Sequence, residues 1–168
     1  MSYFKTLFLM ICLTLPLFSC SDYSLTFNQQ VLYTPPVIFT DFHLADLNLQ
    51  RCADHTIAES KITSARQMQS LLCPEKDIQS LEGIGVFSDL KILGLQGNKL
   101  NSLNPLESLQ QLEQLNLANN QLTDIAALQS LTSLRYLNLL DNLEINCQQL
   151  DAIKLVASGT LLRPSVCL

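Results

Sequence analysis

Between residues 68 and 156 the apolar positions of the chain recur with a fixed step. Leu90, Leu112 and Leu134 stand 22 residues apart, as do Leu93, Leu115 and Leu137, and Leu95, Leu117 and Leu139. The register continues through Leu103, Ile125 and Cys147, through Leu106, Leu128 and Leu150, and through Leu109, Leu131 and Ile153. Backwards, Met68, Leu71, Cys73, Ile78, Leu81, Ile84 and Phe87 form one further unit. A step of this size over about four units signals stacked copies of one supersecondary element, each too small to bury its apolar face alone.

Within a unit the pattern predicts three parts. The "LxL" stretch reads as a short strand whose leucines point inward while the residues between them point to the other face. Next comes an amide, Asn98, Asn120 or Asn142, again 22 apart, with Lys76 in that place in the first unit. Backbone groups that turn beside a core cannot reach water, and an unpaired one costs ~1–3 kcal/mol. Asparagine carries both a donor and an acceptor, so the three amides are read as a structural ladder bonding to turn backbone of their own and the adjacent coil. Tails such as "LTDIAALQSL" carry apolar residues at every third position, which fits short 3₁₀ segments better than α-helices.

The unit "LEQLNLANNQLTDIAALQSLTS" resembles a leucine-rich repeat of the short bacterial type. The resemblance implies an α/β leucine-rich-repeat solenoid: a right-handed coil of about four 22-residue repeats, with parallel strands on the concave face and 3₁₀ turns on the convex one. It also implies that the concave face meets a protein partner. The outward strand positions are Leu72 and Pro74, then Ile92, Gly94 and Gln96, then Gln114, Asn116 and Ala118, then Tyr136, Asn138 and Leu140. This face is uncharged. Leu72, Ile92, Gln96, Gln114, Asn116, Tyr136, Asn138 and Leu140 are the candidate binding residues, with Ile92, Tyr136 and Leu140 as anchors, since aliphatic and aromatic side chains dominate interface energies.

End coils of such an array expose leucine and need caps. The repeat loses its pattern at Glu144, where earlier units have Leu100 and Leu122. Asn146 as N-cap with Gln149 at the third helical position, and Cys147, Leu150, Ile153 and Ala157 on one face, predict a C-terminal capping helix over 146–168 that ends at Gly159. Upstream, Phe42, Ala45, Leu49, Cys52 and Ala53 recur at helical spacing after Thr40 and Asp41, which predicts an N-terminal cap over 40–67. The repeats proper span 68–145.

Cys52 lies 21 residues before Cys73, and Cys167 lies 20 after Cys147, each almost one coil away. Neighbouring coils ~4.7–4.9 Å apart fall within the Cα separation a disulfide accepts, ~4.4–6.8 Å. The expected pairs are therefore Cys52 with Cys73 and Cys147 with Cys167, out of three connectivities open in principle. A rival reading is a metal half-site at Cys52 and His55, but only His43 is left to supply a second imidazole.

The first nineteen residues carry one positive charge at Lys5 and then an apolar stretch shorter than a membrane-spanning helix needs, which predicts a signal peptide. "LFSC" at residues 17–20 resembles the bacterial lipobox, although Phe18 departs from the small or aliphatic residue usual there. The resemblance implies cleavage before Cys20, acylation of its sulfur, and, with Ser21 following, transfer to the outer membrane, on its periplasmic face. Residues 20–39, with "YSLTFN" and Pro35-Pro36, read as a tether or as a strand added to the domain.

The balance of the chain agrees with a binding role. Ten basic against fifteen acidic residues leave a net charge of −5, with no cationic cluster to neutralise phosphates, so nucleic acid is not an expected partner. Two histidines, no glycine-rich phosphate loop and no paired-acid motif give no catalytic constellation, and no cofactor or metal is expected. The expectation is a monomeric, lipid-anchored envelope module that binds a protein partner of unknown identity. The alternative is a structural envelope lipoprotein with no specific ligand.

Overall fold

Strands of three residues, one per coil, build the sheet that organises the molecule. The computed structural model describes residues 25–28, 30–33 and 37–167, and the chain divides after Pro36 into two units. Residues 1–19 of the expected signal peptide and Cys20 lie outside the described residues. In the first unit β1 (Leu25–Phe27) and β2 (Gln30–Tyr33) pair antiparallel, Thr26 opposite Val31 and Phe27 opposite Gln30. Within the stretch expected to be a tether or an added strand, the described residues form this hairpin.

The second unit holds the repeats. Strands β3 (Ser70–Leu72), β4 (Ile92–Gly94), β5 (Gln114–Asn116), β6 (Tyr136–Asn138) and β7 (Thr160–Leu162) form one parallel sheet in chain order. Leu71, Leu93, Leu115 and Leu137 stand in register across it and are all buried. The chain folds as a leucine-rich-repeat solenoid, with 3₁₀ segments Ile84–Val86, Asn104–Ser108 and Ala126–Ser130 returning each coil to the sheet.

The amides hold the turns. Asn120 Oδ1 accepts from the Leu100 N–H at 3.1 Å, while Nδ2 donates to the Leu95 and Leu117 carbonyls, both at 3.0 Å. Asn142 repeats this with Leu122, Leu117 and Leu139, and Asn98 accepts from both Lys76 and Ile78. Immediately before each ladder position the backbone enters the left-handed region, at Glu75, Gly97, Asn119 and Asp141. That turn aims the following side chain inward, and glycine, asparagine and aspartate tolerate it best.

Both caps differ from the sequence-based expectation. The N-terminal helix α1 runs Leu47–Ser60, so Phe42 and Ala45 precede it, and the buried residues on it are Leu49, Ala53 and Ile57. Asp46, not Thr40 or Asp41, is its cap. Its Oδ1 accepts from the Asn48 and Leu49 N–H groups, and its Oδ2 accepts from Gln79 and Ser80 in the first coil. One carboxylate thus fixes the helix and docks it, which no candidate further upstream could do. Ahead of it Phe39 stacks on Phe42, which meets buried Phe87 edge-on at 5.2 Å. Phe39 therefore packs with the repeat unit.

At the other end α2 is only Cys147–Asp151, and the chain then makes a fifth strand instead of extending the helix to Gly159. Period-three spacing of Cys147, Leu150 and Ile153 is the spacing of the convex segments in the earlier coils, so it marks one more coil. Asn146 caps α2 through the Gln148 N–H, while Gln149 reaches sideways, accepting from the Ile125 N–H and donating to Asp124. Disulfides Cys52–Cys73 and Cys147–Cys167, with Cα separations of 6.0 and 5.4 Å, join each end coil to its cap. Cys52 is thereby consumed, so it cannot ligate a metal beside His55.

Candidate concave interface

The sheet arranges its outward side chains in three rows. Ser70, Ile92, Gln114, Tyr136 and Thr160 lie across from one another, as do Leu72, Gly94, Asn116, Asn138 and Leu162. Pro74, Gln96, Ala118 and Leu140 continue the repeat beyond the strands, where the inter-coil bonds persist: Glu75 N–H to Gln96, Gly97 N–H to Ala118, Asn119 N–H to Leu140. Five strands at ~4.8 Å spacing give a row about 19 Å long. No Lys, Arg, Asp or Glu stands in these rows. Charge gathers instead at their margins, where Arg135 pairs with Glu113 and Lys99 with Asp77.

The expected binding residues are not equally available. Leu72 is 60% exposed and Leu140 38%, and Gln114 is also exposed. Ile92, Gln96, Asn116 and Tyr136 are half-buried. Asn138, read as outward and free, is only 9% exposed, and its Oδ1 accepts from the Leu140 N–H. Asn116 does the same for Ala118. Alternate asparagines on the face are therefore partly engaged in shaping the strand exits.

Between β3 and β6 the face dips into a shallow groove of about 200 Å³ bordered by Leu72, Ile92, Gln96, Asn116 and Tyr136. Gly94 forms its floor. A Cβ there would come within 2.9 Å of Leu72 Cδ2, so the absence of a side chain is what keeps the depression open. Gln96 Oε1 is buried at this place with no hydrogen-bond partner.

Two features of the surface were missed from the sequence. Ser70 joins the first row as the start of β3, and Thr160 and Leu162 join because β7 extends the sheet, a signal present in "TLL", 24 residues after "YLN". A larger groove, about 790 Å³, runs between α1 and β3 and is bordered by Arg51, His55, Glu59, Ser70, Leu72 and Lys76, among others. Its existence depends on where the helix docks, which no periodicity specifies. Among the described residues no group of three metal-binding side chains occurs, and no helix is long and apolar enough to cross a membrane.

Comparison with known proteins agrees with the architecture. A family model described as Leucine Rich repeats (2 copies) matches residues 110–155. No curated protein matches the sequence. An internalin (inlF) from Listeria monocytogenes is 25% identical, with a TM-score of 0.60 over 72% of this chain and 37% of its own. The chain thus spans a little over a third of that protein. An internalin C2 (inlC2) from the same species is 24% identical over 52% of this chain and 36% of its own, with a TM-score of 0.40. The functional domain of InlJ from Listeria monocytogenes, described as including a cysteine ladder, is 20% identical over 61% of this chain and 31% of its own, with a TM-score of 0.33. At those scores nothing about this chain follows from the last two. Stacked coils, the repeat match and the likeness to the first internalin together support a bacterial leucine-rich-repeat protein.

Proposed function

We propose that the protein is a lipid-anchored module of the bacterial cell envelope, held at the outer membrane through Cys20, that binds a protein partner through its concave strand face. The observation that carries this reading is the face itself. Five in-register strands present a neutral surface with exposed leucines at Leu72 and Leu140, a half-buried Tyr136 in the same coil as Leu140, and the polar side chains of Gln114 and Asn116. Such a combination of apolar anchors and a few fixed polar groups suits a protein surface. Leucine-rich repeats generally serve protein interaction, and the two disulfides require an oxidising compartment, in keeping with export. For Cys20 the support is the "LFSC" sequence.

The test is capture from intact cells, using a photoreactive residue at position 116 and affinity purification of the full chain. Tyr136→Ala combined with Leu140→Ala should abolish recovery of the crosslinked partner. Recovery of every partner at wild-type yield would overturn the concave reading. Cys20→Ser should release the protein from the membrane fraction, and retention there would overturn the anchor.

A second reading has one observation in its favour. Asn116 and Asn138 spend their side-chain oxygens on their own strands, as expected if the face only needs to be stable in water. On that reading the protein is a structural envelope lipoprotein, and scrambling the concave residues leaves cells unaffected while Cys20→Ser does not.

A further inference from the structure

We propose that the N-terminal edge of the sheet takes an extended acidic peptide as a sixth strand. Among the described residues the edge is unpaired. Lys91 and Ile92 N–H groups donate to the Gln69 carbonyl, and the Cys73 N–H donates to Gly94, so Gln69 and Cys73 turn toward β4. Backbone groups alternate sides along a strand, which directs the N–H and C=O of Ser70 and Leu72 the other way. Strand β3 is the first in the sheet, and no described backbone group pairs with them there. Cys52 Sγ, fixed by its disulfide, packs 3.5 Å from the Leu72 carbonyl and covers it, so the free groups are the Ser70 N–H and C=O and the Leu72 N–H.

These free groups face a prepared space. The 790 Å³ groove follows the edge, with α1 as its far wall and the 60% exposed Leu72 on its border. A peptide lying in it would receive main-chain bonds from Ser70 and Leu72, the mode in which a sheet edge recognises an extended segment. Its alternate side chains would continue the row that begins Ser70, Ile92, Gln114. The occupant is therefore a strand, whichever way the concave face is used.

Charge selects its chemistry. Arg51 and Lys76 border the groove, make no ion pair among the described residues and outnumber its one carboxylate, Glu59, which lies 3.2 Å from the His55 imidazole. The groove is cationic on a chain whose net charge is −5. A segment with Asp or Glu beside apolar residues complements it. Pairing of this edge with the same edge of a second copy would set two Arg51 and Lys76 pairs against each other, which disfavours self-association.

The experiment is selection of displayed random peptides about eight residues long on the full-length protein, followed by synthesis of enriched sequences. Enriched peptides should be acidic, alternate with apolar residues and lack proline at the pairing positions. Binding should fall about tenfold or more for the exposed charge-reversed variant R51E/K76E. Ser70→Pro removes an N–H that points away from β4, a place where proline is tolerated on an edge strand, and should weaken binding with little change in thermal stability. Amide exchange at Ser70 and Leu72 should be fast in the free protein and slowed by peptide. Absence of acidic enrichment, undiminished binding by R51E/K76E, or protection confined to Gln114 and Tyr136 overturns the proposal, as does a dimer in sedimentation that buries this edge. Retained peptide binding in Y136A/L140A would show that the edge and concave readings stand or fall separately.

Discussion

Asn120 offers the sharpest test of how the coils are held together. Its side chain serves three buried backbone groups at once, the Leu100 N–H and the Leu95 and Leu117 carbonyls, which belong to two successive coils. Asn120→Ala leaves the Leu100 N–H without a partner, whereas the Leu95 and Leu117 carbonyls lose one donor each and keep those of Asn98 and Asn142. At ~1–3 kcal/mol for the one buried group left unpaired, with a smaller contribution from the two carbonyls that each lose one of two donors, the loss should be about 2–3 kcal/mol. That is a large share of the ~5–15 kcal/mol that separates folded from unfolded domains. Asn101, exposed and outside the ladder, is the control, and Asn101→Ala should stay within ~0.5 kcal/mol of wild type. Urea unfolding followed by far-UV circular dichroism, with disulfides intact, reads both, and at a slope of ~2 kcal/mol per molar the Asn120→Ala midpoint should fall by roughly 1–1.5 M. Asn120→Asp adds a charge-specific signature. A carboxylate there faces the Leu95 and Leu117 carbonyls and is disfavoured, so its folded pKa rises above the unfolded value and stability should increase as pH falls through that folded pKa. An Asn120→Ala protein indistinguishable from Asn101→Ala would refute the ladder as a source of stability.

Other outcomes follow from the caps. Burial raises the pKa of Asp46, but N–H donors from Gln79, Leu49, Asn48 and Ser80 outweigh it and hold the carboxyl below its ordinary value. Its stabilisation is therefore present above the unfolded pKa of ~3.9 and lost as pH falls through the lower folded one. Asp46→Asn keeps one acceptor and loses the charge, so the wild type's advantage, measured by urea midpoints, should shrink below about pH 4; an advantage constant down to pH 2 or so would sink this account. Replacing Cys147 and Cys167 together by alanine should cost about 3 kcal/mol in the chain-entropy model, with amide exchange rising first in residues 147–167, and uniform destabilisation of β3 instead would argue against a local staple.

The concave rows were legible from the sequence because a parallel strand has one side-chain period and the coils repeat at one length, so each outward residue in the central repeats could be named. Asn138 shows the limit. Register places it outward, but whether its oxygen faces solvent or the Leu140 N–H is a matter of the backbone turn that follows. Helix α1 was located in outline and misplaced at its start, because Thr40, Asp41 and Asp46 all have the chemistry of a cap. The choice went to Asp46 through its contact with Gln79 and Ser80, more than thirty residues away. Strand β7 went unseen for a related reason: spacing of three fits both a helix and one more convex segment.

Residue order alone determined the coil length, the inward leucines, the amide ladder and which cysteines lie one coil apart, since each of these depends on a local period repeated at a constant step. Tertiary structure decided where that period stops. The ends have no neighbouring copy to impose the register, so the position of Asp46, the fifth strand and the cationic groove beside an unpaired edge depend on contacts between distant residues. In those contacts a single bond or buried surface outweighs the propensity of any short segment.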